Sequence, residues 1–466
     1  SLGTLLGKPD RIDLRPEDPL PVHQDDTRVH FHNTPISKYR PRSFYRPPVP
    51  QEESPIITIL TATVNPRPVF LETREFVFNM SIQAFRWVIV NDHSDSPEAY
   101  QMLVQTAAMD PRVQLVNNTD DRGVVRARNK ALSLVTTPYY AFLDDDDMWE
   151  FVGHEKCVWM LETNPNLDIC GVRLLGHGMA NVIFPMPIQT GIPAAMEATP
   201  FLYNLVVRSS VLLSTGCRYD PIFNGGGEDL DFWLCLAGTG HWGATIPEYQ
   251  FWYRLNPPAM REERWPLLYS EGVAKLQKLT LERHGRIPQV HNMLDPFVHK
   301  TTINSPLRFH QPFHNLLLNR KPEKSVLIVL PWAIMPVEET ASMDVAFVRL
   351  VRHLYMEGYR VTIAFTYYQS LDSIQLLPHF LQYTHDVFTL PIFLRLADVP
   401  RFLVYLANSR QVSTMLFFGP QMMYDLLPAL RIMLPNVAFV DWLHAEASGW
   451  KGGGYPIMSE IGRAHV

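Results

Sequence analysis

Two acidic clusters carry the strongest chemical signal in this sequence. Asp144-Asp145-Asp146-Asp147 follows the apolar run Tyr139 to Leu143, and Glu228-Asp229 follows Gly225-Gly226-Gly227. Four adjacent carboxylates repel one another, and a divalent cation with oxygen ligands is an economical way to hold them at the end of a strand. Taken by itself, the run also reads as a solvated acidic turn. In the second cluster the glycines let a loop bend tightly beside a ligand. A carboxylate at the opening of the next helix is well placed to take a proton from a hydroxyl; a glycine turn before an acidic first helical turn is the structural alternative. Asp92-His93-Ser94-Asp95 is a third group, able to accept from a ribose hydroxyl or base N–H, or to form a turn or helix cap. Gly123 permits close backbone approach, and Arg126 and Arg128 could neutralise phosphate oxygens. Arg254, Arg261 or Arg264 could close over a diphosphate.

These groups need elements to position them. Ile56–Thr61, Arg86–Asn91, Val113–Asn117 and Tyr139–Leu143 read as short buried strands. Pro68–Ala84, Pro97–Met109 and Val124–Val135 read as the amphipathic helices between them. Such alternation predicts an α/β fold with a parallel sheet and a ligand crevice at the carboxyl ends of its strands. Thr61 to Asn65, Asp92 to Asp95, and Asp144 to Asp147 all fall on that edge.

Composition narrows the classes. The chain has 466 residues, 46% hydrophobic and 19% charged, with a formal net charge of -6. That length suits two or three domains. The mild acidity argues against a general nucleic-acid binder while leaving nucleotides open. Cys157, Cys170, Cys217 and Cys235 lack the short spacing of a zinc or redox site and read as core thiols in a reducing compartment. The most apolar long stretch, Val387 to Ala407, is broken by Arg395, Asp398 and Arg401, so no membrane span is expected. The histidines His23, His30 and His32 fall in a proline-rich leader, residues 1–54, and read as solvated.

Over roughly residues 55–285 the ordered groups resemble a family 2 glycosyltransferase with the GT-A fold. The resemblance is carried by Thr61-Ala62-Thr63-Val64-Asn65, Val90 to Asp95, Gly123 through Ala127-Arg128-Asn129, Phe142 to Asp147, and Gly226-Gly227-Glu228-Asp229. It implies a metal-dependent, inverting transfer from a UDP-, GDP- or dTDP-linked sugar to a glycan or glycoconjugate hydroxyl, as in polysaccharide or cell-surface glycan synthesis. By the resemblance, Asp144 and Asp146 carry Mn2+ or Mg2+, with Asp147 a supporting group or helix cap. Asp229 is the base and Glu228 orients the acceptor. Asp92 holds base or ribose, and Thr61, Asn65, Ser94, Asp95, Arg128, Asn129 and Arg254 join Asp144 around the donor. A sugar-nucleotide nucleotidyltransferase and a non-catalytic glycan-binding scaffold are the alternatives. The former calls for a glycine-rich basic loop after the first strand, which Thr61 to Arg67 does not supply.

Residues 286–323 read as a proline-bearing connector. Residues 324–460 alternate again, resembling the N-terminal, Rossmann-like half of a family 4, GT-B glycosyltransferase, with His444 in Val440 to Glu446 and the Gly449 to Pro456 loop. Pro336-Val337 stands where such domains place a glycine pair, and without a donor-binding half this domain is expected to be inactive. Ile461 to Val466 can be encoded by a common sequencing-adapter read and is expected to be an artefact of truncation. A cytoplasmic setting, or a peripheral one at the inner face of a membrane, follows from these readings.

Overall fold

The computed structural model describes residues 54–178, 182–184, 205–224, 226–241, 243–257, 278, 282–284, 307–317, 324–331, 341–367, 380–381, 383–418 and 421–441. The leader up to residue 53, Arg261, Arg264, Pro336-Val337, most of the connector, His444, the 449–456 loop and the final six residues lie outside the described residues. The chain divides into two compact units, Tyr45–Val298 with Phe313–Asn315, and His299–Pro312 with Leu316–Val466.

The first unit opens with the expected alternation. Strand β1 (Ile57–Thr63), helix α1 (Phe70–Asn79), β2 (Phe85–Asn91), α2 (Pro97–Met109), β3 (Val113–Asn117), α3 (Val124–Leu132) and β4 (Tyr139–Phe142) follow in order. Ile57, Ile59, Leu60, Val88, Ile89 and Val90 are all buried, as in strands covered on both faces. Helix α2 starts where Ser96 Oγ accepts from Ala99 N and Pro97 takes the first helical position. Helix α1 stops short of the Ala84 end expected for it. Asn79 Nδ2 donates to Glu75 O, and Gln83 Nε2 donates to Met80 O at 2.6 Å, so side chains take over as donors to carbonyls at the helix end.

The second half of this unit departs from the all-parallel expectation. It contains β5 (Met148–Trp149), α4 (Gly153–Thr163), β6 (Ile169–Gly178), β7 (Val182–Phe184), β8 (Leu205–Arg208), α5 (Ser210–Thr215), α6 (Glu228–Gly238) and β9 (Gly243–Leu255). The sheet runs β3-β2-β1-β4-β8-β6-β9-β5, with β7 paired to β6. Pairs among β1 to β4 are parallel, whereas β4–β8, β6–β8, β6–β7 and β5–β9 are antiparallel. The acidic run explains part of this. Leu143 to Asp147 is too short for the dozen-residue crossover that a parallel neighbour requires, so β5 pairs with β9 instead of β4.

Cys157 and Cys170 are buried and free, as expected. Cys217 and Cys235 are not: they form a disulfide with 6.1 Å between their Cα atoms, which corrects the reading of four core thiols. The bond joins the segment before α6 to α6 itself. The inference of a reducing compartment loses its support with it.

The second unit holds β10 (Ser325–Leu330), α7 (Ala341–Met356), β11 (Arg360–Phe365), β12 (Val387–Thr389), α8 (Val399–Ser409), β13 (Thr414–Phe417), α9 (Gln421–Met433) and β14 (Ala438–Asp441). Its five strands are ordered β12-β11-β10-β13-β14, and every pair is parallel. Val326, Ile328 and Leu330 pack with Val348, Val351, Ile363, Phe365 and Leu416. Asp386 is buried there against the Arg410 fork, at 2.7 and 3.0 Å. Among the described residues no helix is long and apolar enough to cross a membrane.

Candidate active site

Strand register brings the chemistry to one edge. Thr63, Asn91 and Asn117 sit level at the carboxyl ends of β1, β2 and β3. Strand β4 ends earlier, with Phe142 opposite Leu60, so the aspartates begin alongside the last residues of β1. Two threonines of β1 guide them: Thr61 Oγ1 donates to Leu143 O at 2.7 Å, and Thr63 Oγ1 donates to Asp145 Oδ2. Thr61 is fully buried and its hydroxyl also accepts from Trp87 Nε1. It aims the acidic segment from beneath.

The four aspartates differ sharply. Asp144 is 27% exposed at its side chain and has Oδ1 3.5 Å from Arg128. Removal from water pushes its carboxyl up to about 6; Arg128 opposes the shift, while Asp146 and Glu228 add to it. Asp146 Oδ2 accepts from Arg67 at 2.7 Å and from Asn256 Nδ2 at 3.0 Å. Asp147 is buried, accepts from the Arg254 backbone N–H at 2.7 Å, and is pushed well above the carboxylate range by burial and then by Asp146 and Asp144. It supports β9 and caps no helix, since α4 begins only at Gly153. Arg254 adds Nε to Asp146 O and a terminal nitrogen to Glu72, so its guanidinium braces the acidic segment.

At the β2 end, Asp92 is buried. Its Oδ1 accepts from Asn118 at 2.8 Å and its Oδ2 from Gly123 N at 2.9 Å. Asn65, in the left-handed region at φ 48°, clasps the adjoining loop. Its N–H donates to Ser94 Oγ, its Oδ1 accepts from Asp95 N and Ser96 N, and its Nδ2 donates to Asp95 Oδ1. The bond from Asn65 holds the Asp95 carboxyl below its usual range. Asn65, Ser94 and Asp95 thus shape the edge beside Asp92 through bonds to one another.

Helix α3 supplies the floor. Arg128 is 1% exposed and donates to Glu228 Oε1 at 2.6 Å, with Asp229 Oδ1 3.6 Å away. Asn129 grips the backbone of Tyr219 on both sides, donating to its O at 2.8 Å and accepting from its N at 3.0 Å. The Arg128 guanidinium lies against three carboxylates, and the Asn129 amide is bonded to Tyr219. Glu228 is buried against Arg128, whereas Asp229 keeps 13% of its side chain exposed. Gly227, at φ 85°, makes the turn that starts α6. A Cβ on Gly123 would come within 3.2 Å of Asn224, so that glycine allows the close passage of α3 and the glycine loop.

Arg67, Asn118, Asn256 and Tyr219 were not singled out from sequence. Burial raises the Tyr253 hydroxyl, and Asp147, Asp144, Asp146 and Asp229 add to the shift, which places the tyrosine in the field of these acids. Arg67 lay in plain view two residues after Asn65; the others have no local pattern.

Residues 58–202 match the model of Glycosyl transferase family 2. The chain therefore carries a domain of that family, and the protein is an enzyme of the glycosyltransferase class. One relative, provisionally named teichuronic acid biosynthesis glycosyltransferase TuaG of Bacillus subtilis (strain 168), is 26% identical over 216 residues, covering 45% of this chain and 83% of its own. The UDP-Glc:alpha-D-GlcNAc-diphosphoundecaprenol beta-1,3-glucosyltransferase WfaP of Escherichia coli is 20% identical over 233 residues, 50% of this chain and 90% of its own. Among solved structures, S. aureus TarS 1-349 in complex with UDP-GlcNAc gives a TM-score of 0.41 at 14% identity, covering 49% of this chain and 66% of that one.

Proposed function

We propose that the first unit moves a sugar from a nucleotide-diphosphate sugar to a hydroxyl of a glycan or glycoconjugate, with inversion at the anomeric carbon. The observation that carries this reading is the convergence on Arg128: Asp144, Glu228 and Asp229 all lie within 3.6 Å of its guanidinium, at the strand edge that also holds Asp92. Asp229 has the exposure that a base facing an acceptor needs. In the step, Asp229 takes the proton of the acceptor hydroxyl as its oxygen bonds to the anomeric carbon. The bond from that carbon to the diphosphate breaks, and the nucleoside diphosphate leaves with the electron pair. A single displacement of this kind inverts the centre.

Asp144 and Asp146 are the proposed ligands for Mn2+ or Mg2+. Asp144 Oδ2 and Asp146 Oδ1 make no hydrogen bond among the described residues, while the second oxygen of each lies against a cation, Arg128 or Arg67. Hard oxygen donors held from behind in this way suit a hard divalent ion. When bound, such an ion supplies positive charge to the diphosphate as it departs. Asp92, with a carboxylate fixed by Asn118 and Gly123, is the proposed contact to base or ribose, and Asn65, Ser94 and Asp95 shape its surroundings.

For the second unit, the parallel sheet with its first strand, β10, at the centre supports a Rossmann-like reading, and we propose it as the counterpart of a GT-B half. The test of the main reading is nucleoside diphosphate release from UDP-glucose, UDP-N-acetylglucosamine and GDP-mannose, with Mn2+ and with EDTA. Metal-stimulated release supports transfer chemistry. Pyrophosphate formation from sugar phosphate and nucleoside triphosphate would point to nucleotidyl transfer instead, and silence under every condition to a scaffold.

A further inference from the structure

Residues 282–284, far along the chain from the acidic segments, are helical and lie against α6. We propose that Arg283 is a positioning residue that clasps the two stems of the glycine loop together and thereby sets where Asp229 stands. The proposal rests on the glycosyltransferase reading above.

The glycine loop is the tip of a hairpin. Its first stem is residues 217–220 and its second is α6, and links join them at successive levels. Outermost, Cys217 and Cys235 share a disulfide. Next, the Tyr219 ring stacks on Phe232 at 4.5 Å. Innermost, one guanidinium joins Asp220 to Asp231: Arg283 Nη1 donates to Asp220 Oδ2, and Arg283 Nε lies 2.8 Å from Asp231 Oδ1. The links are nested, 217 with 235, 219 with 232 and 220 with 231, as in two segments running past each other in opposite directions. The innermost is made by a side chain from outside the hairpin.

Position makes that link the one that bears on chemistry. Everything between Asp220 and Asp231 is tip: the short turn Pro221–Phe223, Asn224, the glycines, Glu228 and Asp229. Gly226 and Gly227 have φ of 130° and 85°, so the backbone of the tip resists rearrangement weakly. Each acid that Arg283 holds also shapes the tip. Asp220 Oδ1 accepts from Ile222 N at 3.0 Å and starts the turn. Asp231 N–H donates to Gly227 O at 3.0 Å and closes the first turn of α6 around Asp229. Asp231 is fully buried, with His284 Nε2 2.6 Å from the same Oδ1, and a carboxylate enclosed in this way depends on its cationic partners. Arg283 is 39% exposed at its side chain, so it can be replaced without emptying the core. Arg128 holds the tip from α3 through Glu228, and Arg283 holds the stems that carry it.

The test uses the full chain with Arg283→Ala, Arg283→Lys, Asp220→Asn and the double variant of Arg283→Ala with Asp220→Asn. Release from the three donors named above is read with Mn2+ as kcat and donor KM, beside thermal unfolding and hydrogen exchange of the peptide spanning 221–230. A misplacement of about 1 Å can cost roughly 100-fold in rate, so Arg283→Ala is expected to lose at least about tenfold in kcat. Donor KM is expected to stay within about twofold, and exchange across 221–230 to quicken about tenfold. Lysine keeps the charge without the fork and is expected to recover part of kcat. Asp220→Asn keeps an oxygen for Ile222 N but loses the charge, and the double variant is expected to be no slower than Arg283→Ala, since both changes break one link. Wild-type kcat in Arg283→Ala would overturn the proposal, as would fully additive losses in the double variant. Raised donor KM with kcat retained would overturn it in favour of donor contact. Loss of kcat that vanishes well below a lowered melting temperature would overturn it in favour of stability alone. A wild type silent with all three donors would overturn the glycosyltransferase reading, and the role at Asp229 with it. Unchanged exchange across 221–230 in Arg283→Ala would instead overturn the clasp and leave that reading standing.

Discussion

Asn129→Ala separates a structural from a donor-binding role more cleanly than any other single change here. The asparagine satisfies both backbone groups of Tyr219, at 2.8 and 3.0 Å, and Tyr219 is itself buried. Alanine removes two hydrogen bonds and leaves a buried N–H and C=O without these partners. At about 1–3 kcal/mol for each unsatisfied group, the cost is roughly 2–4 kcal/mol after partial relaxation. For a unit of this size that corresponds to a fall in melting temperature of roughly 5–15 °C. Asn129→Asp restores only part of the loss, since its carboxylate can accept from Tyr219 N and repels Tyr219 O. Urea unfolding followed by tryptophan fluorescence measures the loss, and donor KM below the melting temperature is expected to stay close to wild type. Unchanged stability accompanied by a tenfold rise in donor KM would refute this account and return Asn129 to the donor site.

Two further perturbations follow from buried charge and proposed ligation. His154 is enclosed, stacked on Trp149 at 4.1 Å, and desolvation lowers its imidazole to about 3, so the folded state excludes the proton that the unfolded chain takes up near 6.5. Stability is therefore full above pH 6.5 and falls as pH drops toward 3. Between pH 7.5 and 5, His154→Phe is expected to lose about 2 kcal/mol less than wild type, and equal losses would show that His154 is not the group responsible. Asp146→Ala is expected to weaken Mn2+-dependent donor binding at least tenfold, whereas an unchanged Mn2+ dependence of binding would remove Asp146 from the metal site.

The sequence disclosed this fold where the signals were local. Alternating apolar runs from Ile57 to Phe142 marked the parallel half, because each strand is a short buried stretch and each helix lies between two of them. The antiparallel half was hidden, because short strands such as Leu205 to Arg208 pair with distant partners that no periodicity identifies. The site divides in the same way. Asp144, Asp146, Asp92 and Asp229 were legible as carboxylates at strand ends or after glycines. The work done by Thr61 and Asn129 was not, since it depends on carbonyl and amide partners 82 and 90 residues away. Arg128 offered a guanidinium able to neutralise phosphate oxygens, although an arginine on a helix is usually solvated; its place beside three carboxylates appears only when the chain is folded. Cys217 and Cys235, 18 residues apart, gave no spacing signal for their bond.

The central claim is that Asp229 removes the acceptor proton, while Asp92, Asp144 and Asp146 serve the donor. Its most direct test is nucleoside diphosphate release and UDP or GDP binding, measured side by side for wild type and Asp229→Asn with Mn2+ and the donor that wild type accepts. The account predicts a loss of about 100-fold or more in turnover, with nucleotide affinity nearly intact. Undiminished turnover by Asp229→Asn would contradict it.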